Sequence, residues 1–426
     1  MMDRTRSRPR PPGNRPPTSG RTAEPTFSEA IADRLRARRP LSVSARGEEL
    51  AALAYPAELA LKQDALTAFW KQARIPGQPE PVVPSPRPRA YRTTSKRRVE
   101  LIDRVAYLFL GDWRARRRAS PFVPSPLEPA EHADLYRFLQ ARLSQPAYRL
   151  VAEHLSWLIV RGAYAERAII FNVDELFAPL VRKLKALAQD LAANGPTAIA
   201  AFAYAGGDSD YYLDNRQERG TVPFKTLFGP PALRVAHGDL RFQFHPTSFS
   251  QVNESIVPRM LELAAELLEP SPHERLLDLY CGYGLFSLAL AERFREVIGL
   301  DVEGAAIEDA RRNAERLRRG RTRFFARPVT ADSLEHLPAP GAPESILLDP
   351  PRGGTDRGVI AALAHRQPRR VLHIFCNVDE IPRALREWAA GGYEPRRVVP
   401  IDMFPGTANL EILIQVARAS GGAGPA

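Results

Sequence analysis

Cysteine is close to absent from this 426-residue chain, which has two, Cys281 and Cys376, 95 positions apart. Such spacing excludes a disulfide-stapled scaffold, a four-thiolate zinc site and a four-cysteine iron–sulfur cluster. It fits a reducing compartment, and the cytoplasm is the expected location. The eight histidines form no ligand-spaced cluster with these thiols, so no metal is expected. Long apolar runs are missing too: none approaches the roughly 20 residues needed to cross a bilayer. The start MMDRTRSRPRPPGN has basic residues with no apolar stretch behind them. Neither a membrane partner nor an export signal is expected.

What is plentiful is positive charge. The formal net charge is +11 and the pI near 9.9, which points to an anionic partner, nucleic acid first. Hydrophobic residues make up 44% and charged ones 26%, the balance of a globular chain long enough for two or three domains. Residues 1–40 hold ten Arg and seven Pro against four acids, a net +6 without apolar periodicity, so residues 1–45 read as a disordered basic arm whose first packed helix comes later. Residues 87–118 carry a further +8, interleaved with Tyr91, Tyr107, Phe109 and Trp113. Cations mixed with aromatics can neutralise phosphates and stack on unpaired bases, so this stretch is expected to face nucleic acid.

Between about 48 and 72, Leu50, Leu53, Ala54, Ala57, Leu61, Leu66 and Phe69 recur at three- and four-residue steps, predicting a short helix. The Pro-rich stretch IPGQPEPVVPSPRPR ends it. Helical runs at 130–143 and 175–193 alternate with the strand-like RAIIFNV and TAIAAFAYAG. From about 246 the chain switches to regular strand–helix alternation, which predicts a doubly wound, mostly parallel sheet. The expected organisation is the arm, a basic central α/β domain at 46–245, a doubly wound α/β domain at 246–418 and a flexible tail at 419–426.

The stretch DLYCGYG, from Asp278 to Gly284, follows an apolar strand and opens a helix. Gly282 and Gly284 allow a tight turn and let a ligand lie on bare backbone at a helix N-terminus. The next strand ends in Asp301, 23 residues after Asp278, where a carboxylate can accept both hydroxyls of a ribose. A dinucleotide and S-adenosylmethionine share that feature. An acid opening the loop, with a lone pair of glycines, favours the methyl donor.

Further on, Asp349-Pro-Pro-Arg352-Gly-Gly354 precedes sixteen residues and then VLHIFCN, ending in Cys376 and Asn377; FPGTANLE, with Phe404, Thr407 and Glu411, opens the last strand. With Ser248-Phe249-Ser250-Gln251-Val252-Asn253 upstream, these segments stand in the order and spacing of a known family. The chain resembles the RNA 5-methyluridine (uracil-C5) methyltransferases over about 240–418, and more loosely at YPAELALK (55–62) and YRTTSKRR (91–98). The resemblance implies a class I (Rossmann-like) methyltransferase domain, S-adenosyl-L-methionine as cofactor and an RNA partner, tRNA favoured over rRNA, with no protein partner implied. It assigns Cys376 as nucleophile and Glu411 as base, with Gln251, Tyr280, Gly282, Gly284, Asp301 and Asp349 lining the donor. A thiolate adding to uracil C6 makes C5 nucleophilic, and a base then removes the C5 proton so that the cysteine leaves. Arg352 is expected to lower the thiol pKa, and Cys281 is expected to be structural. Leu285, Phe375, Val378 and Asn409 depart from the family pattern; Phe375 is expected to reshape the uracil pocket.

Overall fold

The computed structural model describes residues 26–36, 47–110, 121–215, 224–302, 304–338 and 341–419. A six-stranded sheet is built from β1 (Ser95–Ile102), β2 (Val105–Phe109), β3 (Leu155–Gly162), β4 (Arg167–Val173), β5 (Ala200–Ala205) and β6 (Lys225–Phe228), in the order β2-β1-β3-β4-β5-β6. Only β4 and β5 run parallel, joined by the crossover helix Ala178–Asn194. That helix and Ala130–Leu143 seal one face of the sheet with Leu135, Leu139, Leu184 and Leu187. The other face, through Ile159, Ile170, Phe202 and Tyr204, packs on Cys281, Tyr283, Leu285 and Leu288. The hairpin of β7 (Leu233–His237) and β8 (Leu240–Phe244) joins the same layer, so the two halves of the molecule share one apolar seam.

The second sheet contains β9 (Arg275–Leu279), β10 (Glu296–Asp301), β11 (Thr322–Ala326), β12 (Glu344–Leu348), β13 (Arg370–Phe375), β14 (Tyr393–Ile401) and β15 (Glu411–Arg418), in the order β11-β10-β9-β12-β13-β15-β14. RLLDL in β9 and ESILL in β12 are buried at every position, as a central parallel strand covered on both faces requires. Each buried Leu there stabilises by roughly 1.5–3 kcal/mol. The strand order turns about β9, with β10 on one side and β12 on the other, which opens a crevice at their carboxyl ends. β15 runs antiparallel between β13 and β14. Its first residue therefore lies at the edge where the parallel strands finish.

The N-terminal expectations need correction. Phe27–Arg36 is a helix with Phe27 and Ile31 buried, and the Phe27 ring meets Phe69 edge-on at 6.2 Å; residues 1–25 and 37–46 of the expected arm lie outside the described residues. The helix expected at 48–72 runs Tyr55–Gln72, starting where Pro56 sets the first-turn φ, while Leu50 is buried from the turn before it. Leu61, Leu66 and Phe69 share a core with Leu277, Ile346 and Ile412. The boundary expected at 46 is thus crossed: residues 47–75 belong to the second sheet's core, and the six-stranded sheet starts at Ser95. Periodicity reports that a helix hides a face, not which sheet hides it.

The basic stretch is also rearranged. Arg97 is fully buried and bidentate to Glu128 at 2.8 and 2.7 Å. Arg89 pairs with Glu58, Arg92 with Glu48, Lys96 with Asp210 and Arg98 with Asp208. Tyr91 is buried, its hydroxyl donating to the Pro405 carbonyl at 3.0 Å, and Phe109 is buried as well. Much of the charge expected to meet phosphate is spent on carboxylates inside the fold, and these rings are not free to stack. Trp113 lies outside the described residues, as does all of the tail after 419.

Candidate active site

The crevice beside β9 is lined by the segments singled out in the sequence. Leu279 aligns with Leu300 on one side and Leu348 on the other, so Tyr280, Asp301 and Asp349 emerge at one level. The Asp349 amide donates to the Leu279 carbonyl at 3.3 Å. Tyr280 takes a left-handed φ of 63°, a strained state for a non-glycine residue that binding sites commonly hold. Gly284, at φ 85°, caps the helix Leu285–Leu290, and a Cβ there would press on Leu288 at 3.0 Å.

Asp301 both shapes this loop and faces the crevice. Its Oδ2 accepts from the Gly282 amide at 2.6 Å and its Oδ1 from the Val302 amide at 2.7 Å; a carboxylate has further lone pairs for ribose hydroxyls. Asp278 is fully buried, with Oδ2 taken by the Ser287 hydroxyl and Oδ1 without a partner. Burial raises its carboxyl to about 7. An orphaned carboxylate oxygen beside bare glycine backbone and a ribose-type acceptor fits an adenosyl group carrying a cationic centre.

At the opposite lip, Phe375 aligns with Ile412 across the antiparallel β13–β15 pair, which brings the adjoining Cys376 and Glu411 side by side. Burial, then the charges of Glu411 and Asp349, push the Cys376 thiol up to about 12; Arg352 pulls the other way and is outweighed. The expectation that Arg352 lowers the thiol thus holds for the direction of its pull and not for the net result. Glu411 is 2% exposed, and burial followed by the charge of Asp349 raises its carboxyl well above the ordinary range. Asp349 is raised to about 7, by burial first and then by Asp278 and Asp301. Arg352 is the cation that acts on both Cys376 and Glu411, and its guanidinium donates to Asn409 at 2.9 Å. Asn377 donates to the Arg352 carbonyl at 3.2 Å, tying the two loops together.

Gln251 stands apart from that lip. It lines a small cavity with Thr93, Phe244 and Tyr283, and its carbonyl accepts from the Thr93 hydroxyl. Its neighbour Phe249 is half exposed, one of two large hydrophobic side chains that stand out from the surface among the described residues. Composition gave no signal for Phe249; its place inside the SFSQ segment did.

Residues 212–325 match the tRNA (Uracil-5-)-methyltransferase family. An uncharacterized RNA methyltransferase of Thermosynechococcus vestitus is 36% identical over 44% of this chain and 42% of its own length. A 23S rRNA (uracil(1939)-C(5))-methyltransferase of Klebsiella pneumoniae is 35% identical over 42% and 41%. The chain thus spans about two-fifths of these relatives. An uncharacterized RNA methyltransferase of Lactiplantibacillus plantarum aligns over 91% of this chain and 80% of its own, at 26% identity. The solved tRNA (uracil-54, C5)-methyltransferase of Pyrococcus abyssi, in complex with S-adenosyl-L-homocysteine, superposes with a TM-score of 0.67 over 89% of this chain and 87% of that one, at 21% identity. Over these segments the chain is similar to RNA uracil-C5 methyltransferases.

Its fold is that of a class I methyltransferase, as expected. Three of the residues that depart from the family pattern are buried, and the fourth, Asn409, meets Arg352. Phe375 is 3% exposed, and its ring stacks on His373 at 3.9 Å. Leu285 and Val378 are buried in the apolar layers, and Asn409 has become the acceptor for Arg352. Cys281 is buried, with its thiol raised far above the usual range, consistent with a structural role.

Proposed function

We propose that this protein transfers a methyl group from S-adenosylmethionine to C5 of a uridine in RNA, with tRNA as the favoured substrate. The observation that carries this reading is the side-by-side placement of Cys376 and Glu411, with Asp349 one strand and the glycine loop two strands from Cys376. The donor supplies an electrophilic methyl on a sulfonium. Gly282, Gly284, Asp301 and Asp278 hold its adenosyl end, with Tyr280, Gln251 and Asp349 around it.

The site's acids set the order of events. While Cys376 and Glu411 are close and poorly solvated, ionising one opposes ionising the other. Before attack Glu411 keeps its proton, which lets the thiol give its proton to water and add to C6 of the uracil. The adduct is a neutral thioether, and the enolate charge is consumed when C5 takes the methyl group. Glu411 then has no neighbouring sulfur charge to resist its ionisation and gives its proton to water; its carboxylate removes the C5 proton as the C6–S bond breaks and Cys376 leaves as the thiolate. Arg352 stabilises each anion in turn. The base must leave its stack to reach the thiol, at a cost of a few kcal/mol that a loop substrate reduces. Phe249 offers an exposed ring to a neighbouring base.

RNA containing 5-fluorouridine tests the reading, because fluorine in place of the C5 proton blocks elimination and traps the adduct. A covalent complex formed with the donor and lost in Cys376→Ala is expected. No adduct and no methyl incorporation into any RNA would leave a non-catalytic RNA-binding protein, and 5-methylcytidine as the product would redirect the reading to cytosine. Transcripts of tRNA and of rRNA fragments, compared at equal concentration, decide the substrate.

A further inference from the structure

Arg161, in β3 of the six-stranded sheet, is 1% exposed, and its described partners are all neutral. Its Nε donates to the Pro246 carbonyl at 3.2 Å, one terminal nitrogen to the hydroxyls of Thr94 (2.7 Å) and Ser250 (2.8 Å), and the other to the Ser248 carbonyl. The rings of Phe244 and Tyr212 lie 5.2 and 5.7 Å from the guanidinium. A cation buried without a counter-charge is costly and persists only with its donors satisfied. Apolar packing would have held two sheets together more cheaply. Three of the four hydrogen bonds made by this fork fall on one short segment, and that segment carries Phe249 and Gln251.

The segment is gripped from its other side as well. Asp309, on the helix Ala305–Arg316 that follows the ribose-type acceptor strand, takes the His245 amide at 2.7 Å and the Ser248 hydroxyl at 2.6 Å. Residues 245–251 are therefore clamped between a strand of the central sheet and a helix of the donor side. From this geometry we infer that Arg161 is a positioning residue for the methyl transfer: it fixes the segment that presents Phe249 and Gln251, and links the central sheet to the crevice. Arginine suits the task because one planar fork satisfies several acceptors at fixed angles, which an ammonium does not.

The inference rests on the proposed uridine methylation for its kinetic readout and is independent of it for its structural one. In the full-length chain, Arg161→Met should slow single-turnover methylation at saturating RNA and donor by about a hundredfold, the scale of an ångström-sized misplacement. RNA affinity should stay within about twofold and its salt slope unchanged, since the buried side chain neutralises no phosphate. Arg161→Lys should recover part of the rate. Amide exchange in residues 247–251 should accelerate about tenfold in Arg161→Met, reporting local opening. A folded Arg161→Met with wild-type rate overturns the inference, as does a salt slope shallower by about one unit, the mark of a phosphate contact. Should Arg161→Met fail to fold, the double variant Thr94→Val/Ser250→Ala decides: about tenfold slower transfer supports positioning and an unchanged rate refutes it. If the parent chain transfers no methyl group, the function falls and the exchange experiment alone judges Arg161, with unchanged exchange as the refuting result.

Discussion

The scaffold and the crevice treat buried charge in opposite ways. Away from the crevice Arg97 is bidentate to Glu128, beneath the loop before β15 Lys62 bridges Glu58 at 3.0 Å and Asp402 at 2.7 Å, and Arg161 has its donors taken by neutral acceptors. At the carboxyl ends of β9, β12 and β15 the carboxyls of Asp278, Asp349 and Glu411 crowd together without matching cations, and burial holds them toward their protonated forms. Paired charge locates elements. Unpaired charge stores a change of protonation that chemistry can draw on, and the contrast separates scaffold from site more sharply than burial does.

The largest expected effect lies at the site. Glu411→Gln should accumulate the methylated covalent adduct and cut turnover by about a thousandfold or more, since addition survives while proton removal stalls; gel-shifted protein–RNA complex and product release measure it. Next comes the paired side. Lys62→Ala should cost about 3–5 kcal/mol in denaturant unfolding, because Glu58 and Asp402 are left buried without their cation. A loss below about 1 kcal/mol would put this trio with surface pairs and weaken the comparison.

Arg352→Gln removes the cation that acts on Cys376 and Glu411. Adduct formation at pH 7.5 should slow about tenfold and recover as the pH is raised, because more base then replaces the lost electrostatic help. The smallest effect concerns stability. Asp349 has a folded-state pKa raised from 3.8 to about 7, so the folded chain binds more protons than the unfolded one between those values and should lose stability as the pH rises through that window. Asp349→Asn should flatten that decline and raise the melting temperature at pH 7.5 by about 2–4 °C. A wild-type melting temperature that climbs from pH 5 to 7 would contradict the unpaired state of the acids.

Legibility in the sequence followed the range of the interaction. β12 and β13 showed as short, mostly apolar runs ended by Asp349 and Cys376, because a central parallel strand is covered on both faces and its end is set by the next few residues. The meeting of Cys376 with Glu411 could be read only through the family spacing, since it depends on β15 reversing direction. The pairing of Arg97 with Glu128 was hidden, as was that of Lys62 with Asp402 across 340 positions: a cation destined for the core looks the same in a sequence as one destined for phosphate. The same blindness placed the helix Tyr55–Gln72 in the wrong half.

That helix also imposes a schedule on synthesis. Its apolar face is covered by Ile412 and neighbouring strands near the end of the chain, and the segment after it is stitched to β14 by the Glu80 and Val83 amides on the Val398 and Pro400 carbonyls. A ribosome releases those partners more than three hundred residues after the helix itself has emerged. For that interval the nascent chain displays an apolar surface that the helix Phe27–Arg36 and the earlier strands close only in part. Chaperone occupancy is thus expected to concentrate on residues 55–75, and a stop codon before β15 would leave the beginning of the protein, as well as its end, unfinished.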